Sequence, residues 1–205
     1  MNIKNVFSPL LNLFKKNNSS VSQNIFKKDT NGLNLRNIIK NSYKPQDSLN
    51  GYTLDKELSG KRQQVYIDKD NKKMLMSVAG TRSGTDVLND FRLIGGGIKN
   101  TARYQSADNT LKSAKEKYGD YENLLIGHSL GGSIASRLGG DNDRRITYNA
   151  GEVGGKQRKN TTAVRHSGDP ISLIGAGKSH NFGNPLTILN PLNWVGSHSS
   201  NRLND

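Results

Sequence analysis

The stretch Leu124-Leu125-Ile126-Gly127-His128-Ser129-Leu130-Gly131-Gly132 constrains this chain more than any other. The apolar run 124–126 is too short for a helix and is bounded by polar residues, so it reads as a buried strand. Residues 133–138, Ser-Ile-Ala-Ser-Arg-Leu, carry helical periodicity. A strand, the pattern Gly-x-Ser-x-Gly and a helix together form the setting of a nucleophile elbow. So tight a turn forces Ser129 into a sparsely populated backbone region. Gly127 and Gly131 remove the neighbouring Cβ atoms, and Gly132 lets the helix approach the strand. The serine hydroxyl then stands at the strand's C-terminal edge, at a helix N-terminus that favours negative charge. A glycine-rich helix start with Ser129 as N-cap would use the same residues, but the flanking strand and helix favour the nucleophile.

The chain of 205 residues shows no internal repeat and is long enough for one domain with a real core. Only 32% of its residues are hydrophobic, a deficit that a poorly ordered tail would partly explain. No apolar run reaches the ~20 residues of a membrane span. Asn5, Ser8, Pro9 and Asn12 interrupt the first hydrophobic stretch, so no signal peptide is expected and the compartment stays open. The absence of cysteine excludes disulfides, thiolate catalysis and zinc–thiolate sites. A net charge of +13 favours acidic partners. The few aromatic residues are not interleaved with the basic ones, so no nucleic-acid module is read here, and an anionic lipid surface suits the charge better.

Residues 1–50 form a basic tail rich in Asn, Lys and Ser, ahead of a folded domain expected over 51–205. Two amphipathic islands interrupt the tail. One holds Ile3, Val6, Phe7, Leu10, Leu11 and Phe14, and the other Leu33, Leu35, Ile38 and Ile39. They fit either a segment lying on a membrane or partner or a helix packed on the domain. Strands are expected over 63–68 and 72–78, joined by the Asp70-Asn71 turn. The second strand ends at Gly80-Thr81 in a small polar loop, with a helix start near Thr85 or Asp86. Thr81 is in the right place in chain order to supply a second oxyanion donor beside the N–H of Leu130, and an ordinary strand-to-helix turn fits equally. Residues 101–118 read as an amphipathic helix, and 144–151 and 162–166 as further strands.

Val78-Ala79-Gly80-Thr81, then Asp86 and Asp90, then Gly-His-Ser-Leu-Gly-Gly, resemble the class 3 (fungal-type) lipases over residues 63–200. The resemblance implies a compact α/β-hydrolase fold with a mostly parallel sheet and little or no cap. It implies hydrolysis of lipid carboxylic esters without metal or organic cofactor. Val78-Ala79 departs from the family's Phe-Arg at that strand end. Where the family often carries a mobile lid, this chain has residues 93–100.

A carboxylate just past a strand end and fixed by a following proline is well placed to orient an imidazole, which selects Asp169 in Asp169-Pro170-Ile171. The resembling family has Asp-Pro-Val/Ile here. Asp141 and Asp143 compete from a polar loop after the elbow helix. Of the four histidines, His128 adjoins the nucleophile with its side chain expected to point away. His166 precedes Asp169, against the order Ser, acid, His. His180 and His198 remain as bases. The family's closing His-Ser step favours Ser197-His198-Ser199. The expected set is Ser129, Asp169 and His198 with Thr81 and Leu130 as oxyanion donors, and His180 as the alternative base. A glyceride or phospholipid is the expected substrate. A small soluble ester and a non-catalytic scaffold are the alternatives.

Overall fold

In the computed structural model, residues 34–81, 97–151, 158–172, 179–182 and 198–199 are described, with backbone alone for 180–182. Their strands form one eight-stranded sheet in sequence order, β1 to β8. β1 (Ser48–Leu49), β2 (Tyr52–Leu54), β3 (Gln63–Asp68) and β4 (Lys73–Val78) pair antiparallel. β5 (Glu122–His128), β6 (Arg144–Tyr148), β7 (Thr161–His166) and β8 (Ser179–Phe182) then continue from β4 as parallel neighbours. The expected hairpin is β3–β4, in register from Gln63↔Val78 to Asp68↔Lys73. Lys72 closes its turn at φ 50°.

Met74-Leu75-Met76 and Leu124-Leu125-Ile126 are apolar at consecutive positions. Successive strand side chains point to opposite faces, so such runs need cover on both sides. One face holds Val65, Ile67, Met74, Met76, Val78 and Leu125, covered by α2 (Ala102–Lys117) and α3 (Leu130–Ala135) through Ala107, Leu111 and Ile134. The other face holds Tyr66, Leu75, Ile126, Ile146, Tyr148 and Val164. Its cover is α1 (Leu35–Tyr43), through Leu35, Ile38 and Ile39. Each such aliphatic side chain contributes about 1.5–3 kcal/mol when fully buried.

Leu35, Ile38 and Ile39 of the second island, whose Leu33 lies outside the described residues, therefore belong to a core helix, the packed alternative of the two readings. Asn34 caps it, its Oδ1 accepting from the N–H of Arg36 at 2.9 Å, and the helix ends before Pro45. The folded unit thus starts no later than Asn34, so residues 34–49, read as tail, supply a helix and the first strand of the sheet. The first island lies outside the described residues, as do 93–96 of the lid segment. Residues 97–100 carry a 3-10 turn, Ile98–Asn100, whose Ile98 is buried in the core.

Because Ile38 is 0% exposed in the cluster beneath α1, Ile38→Ala should cost about 2–5 kcal/mol of stability. Urea denaturation followed by circular dichroism reads this as a lower midpoint with an unchanged slope. An unchanged midpoint would mean that α1 is not part of the cooperative core.

Candidate active site

β5 delivers the candidate nucleophile. Ser129 follows its last residue with φ 56° and ψ −128°, a combination that ordinary residues avoid. Two features hold it there. The N–H of Ser129 donates to the Tyr148 carbonyl at the end of β6, 2.9 Å away. The backbones on either side are in contact: a Cβ on Gly127 would strike the Gly131 carbonyl, and one on Gly131 would strike Val78 O at the end of β4. Glycine at both positions is therefore steric necessity. Ser133, one turn into α3, donates from Oγ to the Gly151 carbonyl at 2.6 Å and ties the helix to the segment after β6.

The candidate acid, Asp169, comes from the turn after β7. The N–H of Asp169 donates to the His166 carbonyl at 3.0 Å, and its Oδ1 accepts from the N–H of Ile171 at 3.0 Å. That leaves Oδ2, which lies 2.8 Å from Nδ1 of His198. Nε2 of His198 lies 2.7 Å from Ser129 Oγ. Asp169, His198 and Ser129 are 0%, 7% and 1% exposed. In the resting state a carboxylate can only accept, so Nδ1 carries the proton and Nε2 accepts the serine hydroxyl. The structure thus brings the three residues picked from the sequence into contact, Asp169 with His198 and His198 with Ser129.

The other candidates are placed as follows. Leu130 follows Ser129 in the chain and opens α3, and Thr81 follows Gly80, which approaches the serine in space: an added Cβ there would stand 2.9 Å from Ser129 Cβ. The backbone of His180 lies in β8 beside Val164. Its side chain is outside the described residues, as are Asp86 and Asp90. Asp143 precedes β6, at the sheet edge opposite the elbow, where Lys115 Nζ approaches its Oδ2 at 2.6 Å. His166 accepts at Nδ1 from the N–H of Gly168 at 3.1 Å and shapes the acid's turn. Among the described residues, no cluster of His, Asp or Glu could hold a metal ion.

Sequence reasoning missed what holds the candidate base in place. The carbonyl of His198 is contacted by His128 Nε2 at 2.8 Å and by Asn149 Nδ2 at 3.2 Å. Tyr148 donates from its hydroxyl to the next carbonyl, that of Ser199, at 3.2 Å. His128 stacks on Tyr148 with ring centroids 5.4 Å apart, and its Nδ1 lies 2.8 Å from the Tyr43 hydroxyl. Its side chain does point away from the reacting hydroxyl, but it points under the base. Burial and the nearby His198 push its pKa down from 6.5 to about 3, so it is neutral. The only available signal was the unusual run of hydrogen-bonding residues at the ends of β5 and β6.

The class 3 lipase family model matches residues 81–141, a span that includes Thr81, Ser129 and Leu130 and ends before Asp169 and His198. Among solved structures, the Lip2 lipase of Yarrowia lipolytica is 17% identical. The match covers 88% of this chain and 93% of that one at a TM-score of 0.59. The Rhizomucor miehei lipase in its propeptide complex is 14% identical, with 81% and 70% covered and a TM-score of 0.53. The lipase of Rhizopus microsporus var. chinensis is 14% identical, with 78% and 71% covered and a TM-score of 0.52. The chain has the α/β-hydrolase fold of the class 3 lipases. The resemblance read from the elbow and the strand end at Thr81 therefore holds for the architecture. No match is found among curated protein sequences.

The neutral His128 has a consequence for stability in acid. The unfolded chain binds a proton at this side chain below about 6.5, while the folded chain does so only near 3. Between those values the unfolded state holds more protons, so His128's contribution to stability is complete above 6.5 and is lost as pH falls toward 3. Thermal melts of wild type and His128→Gln from pH 8 to 4 should show a shallower acid decline in the variant. Parallel curves would exclude His128 as the titrating group.

Proposed function

We propose that this chain is a serine hydrolase that cleaves carboxylic esters of lipids. The observation that carries the reading is the continuous contact from Asp169 Oδ2 through His198 to Ser129 Oγ, at 2.8 and 2.7 Å. The class 3 lipase match around Thr81 and the elbow supports the substrate class. His198 Nε2 takes the proton from Ser129 Oγ as the oxygen attacks the ester carbonyl. Asp169 holds the imidazole in the tautomer that can accept that proton and stabilises the imidazolium that results. The tetrahedral oxyanion is bound by the backbone N–H groups of Leu130 and Thr81; losing one such donor typically costs on the order of 10²–10³ in turnover. Collapse returns the proton to the leaving alcohol, and water repeats the sequence on the acyl-enzyme to release the acid.

The net charge of +13 extends the reading to the surface on which the substrate is presented. Basic residues near an anionic bilayer contribute about 1 kcal/mol each before screening, so anionic phospholipid is the favoured lipid class. Among the described residues no helix is long and apolar enough to cross a membrane, and the proposed contact is peripheral.

Labelling with a serine-reactive fluorophosphonate should mark the wild type and leave Ser129→Ala unmarked. Ser129→Ala and His198→Ala should each lower kcat by on the order of 10⁴ or more, with no further loss when combined, because the residues act as a unit. An active His198→Ala would remove His198 as the base and return His180 to that role. Fatty-acid release from anionic vesicles should exceed that from neutral ones at low salt. The difference should shrink toward 0.15 M, where the Debye length is about 8 Å. Equal rates at low salt would overturn the anionic-surface reading alone. Cleavage of a nitrophenyl ester without any vesicle hydrolysis would make the substrate a small soluble ester.

A further inference from the structure

A chain of hydrogen bonds runs behind the reacting groups, and chemistry fixes its direction at every step. The carbonyl of His198 cannot donate, so His128 Nε2, 2.8 Å away, carries a proton. A neutral ring then leaves Nδ1 as an acceptor, and the Tyr43 hydroxyl, 2.8 Å from it, must be the donor. That hydroxyl in turn accepts from the N–H of Gly80 at 2.8 Å. One phenol from α1 thereby joins the end of β4, the ring beneath the elbow and the backbone of the proposed base.

The Gly80 end of this chain has no slack. A Cβ there would stand 2.6 Å from the Tyr43 hydroxyl and 2.7 Å from the His128 carbonyl. The peptide from Ala79 to Gly80 is gripped on both sides, by Arg103 at the Ala79 carbonyl and by Tyr43 at the N–H. The next peptide presents the Gly80 carbonyl to Arg62 Nη1 at 3.3 Å. In a trans peptide N–H and C=O point in opposite directions, so holding the Gly80 carbonyl also aims the N–H of Thr81.

We propose that Tyr43 is a positioning residue for ester hydrolysis, setting the oxyanion-side peptides and, through His128, the seat of His198 with the same hydroxyl. The proposal rests on the hydrolase reading above and adds to it a residue from outside the expected catalytic set. Among the described residues, the Tyr43 hydroxyl meets the Gly80 N–H and His128 Nδ1, neither of which reacts in the proposed mechanism. Phenylalanine at this position keeps the ring but leaves the Gly80 N–H and His128 Nδ1 without that partner, so both halves of the site relax.

The test compares Tyr43→Phe, His128→Gln and the double variant on nitrophenyl butyrate, with rates expressed per serine titrated by fluorophosphonate. Tyr43→Phe should lower kcat about 10- to 100-fold, the usual scale for slight misplacement of reacting groups, and leave KM little changed. His128→Gln retains an amide that can donate to the His198 carbonyl but has nothing where Nδ1 stood. Adding Tyr43→Phe to it should therefore cost only the Gly80 half, a smaller factor than the same change costs in the wild type. Losses that multiply would overturn coupling through His128. A lower melting temperature with wild-type kcat per titrated serine would reduce Tyr43 to a structural residue. Independently of any variant, ¹⁵N NMR of the histidine rings should find the neutral Nε2–H tautomer for His128, and an Nδ1–H tautomer would overturn the direction of the chain. If wild-type Ser129 takes no label, the hydrolase reading falls and the positioning role with it; normal labelling with an unaffected Tyr43→Phe overturns the positioning role alone.

Discussion

The central strands β4 and β5 are buried on both faces, and the rest of the molecule answers to that requirement. A strand carrying Met74, Leu75 and Met76 in succession cannot turn one side to water. The crossover between β4 and β5 supplies α2 to one face, and the turn after β5 supplies α3. The opposite face receives its cover from upstream, from α1. This explains how a helix from a segment that otherwise reads as a polar tail comes to be indispensable. It also fixes where the last residue of that helix lies: Tyr43 arrives at the C-terminal edge of the sheet, beside the elbow.

The second organising contact is at the ends of the parallel strands, where side chains of the sheet capture the backbone of a distant segment. His198 is 69 residues from Ser129 in sequence. Its carbonyl is nevertheless held by His128 from the end of β5 and by Asn149 from just beyond β6, and the Ser199 carbonyl is held by Tyr148. Asn149 adopts φ 45°, and its Oδ1 also accepts from the N–H of His166 at 2.7 Å. The seat of His198 is thus linked to the strand that leads to Asp169. Hydrogen bonds to backbone carbonyls suit this task, because they fix the main chain and leave the imidazole nitrogens for Asp169 and Ser129.

Much of this was legible in the sequence where the signal was local. The elbow announced itself through spacing, the β3–β4 hairpin through alternation and its turn, and Asp169 through a proline after a strand. The α1 helix was visible as an amphipathic patch, but its place was not. The clue lay elsewhere, in the unbroken apolar runs of β4 and β5, which demand cover on both faces and leave Leu35, Ile38 and Ile39 as available material. β8 escaped notice because Ser179-His180-Asn181-Phe182 has no alternating pattern. Its pairing to β7 is non-local, and propensity reports little on such pairing. The links Tyr43–His128 and Asn149–His198 span 85 and 49 residues, and no short-range pattern records them.

The two histidines under the elbow have the same chemistry and are driven to opposite roles by what surrounds them. His198 presents one nitrogen to a carboxylate and the other to a hydroxyl. His128 presents one nitrogen to a carbonyl and the other to a phenol, and burial holds its pKa at about 3. Their ring centroids are only 5.3 Å apart. Two imidazolium charges at that separation would repel by about 3 kcal/mol at an effective dielectric of 20. That energy would oppose the imidazolium that the proposed mechanism requires of His198. A histidine this near the proposed base is therefore compatible with the proposed chemistry only while neutral, and burial keeps it so against the pull of the His198 carbonyl, whose hydrogen bond favours the charged ring.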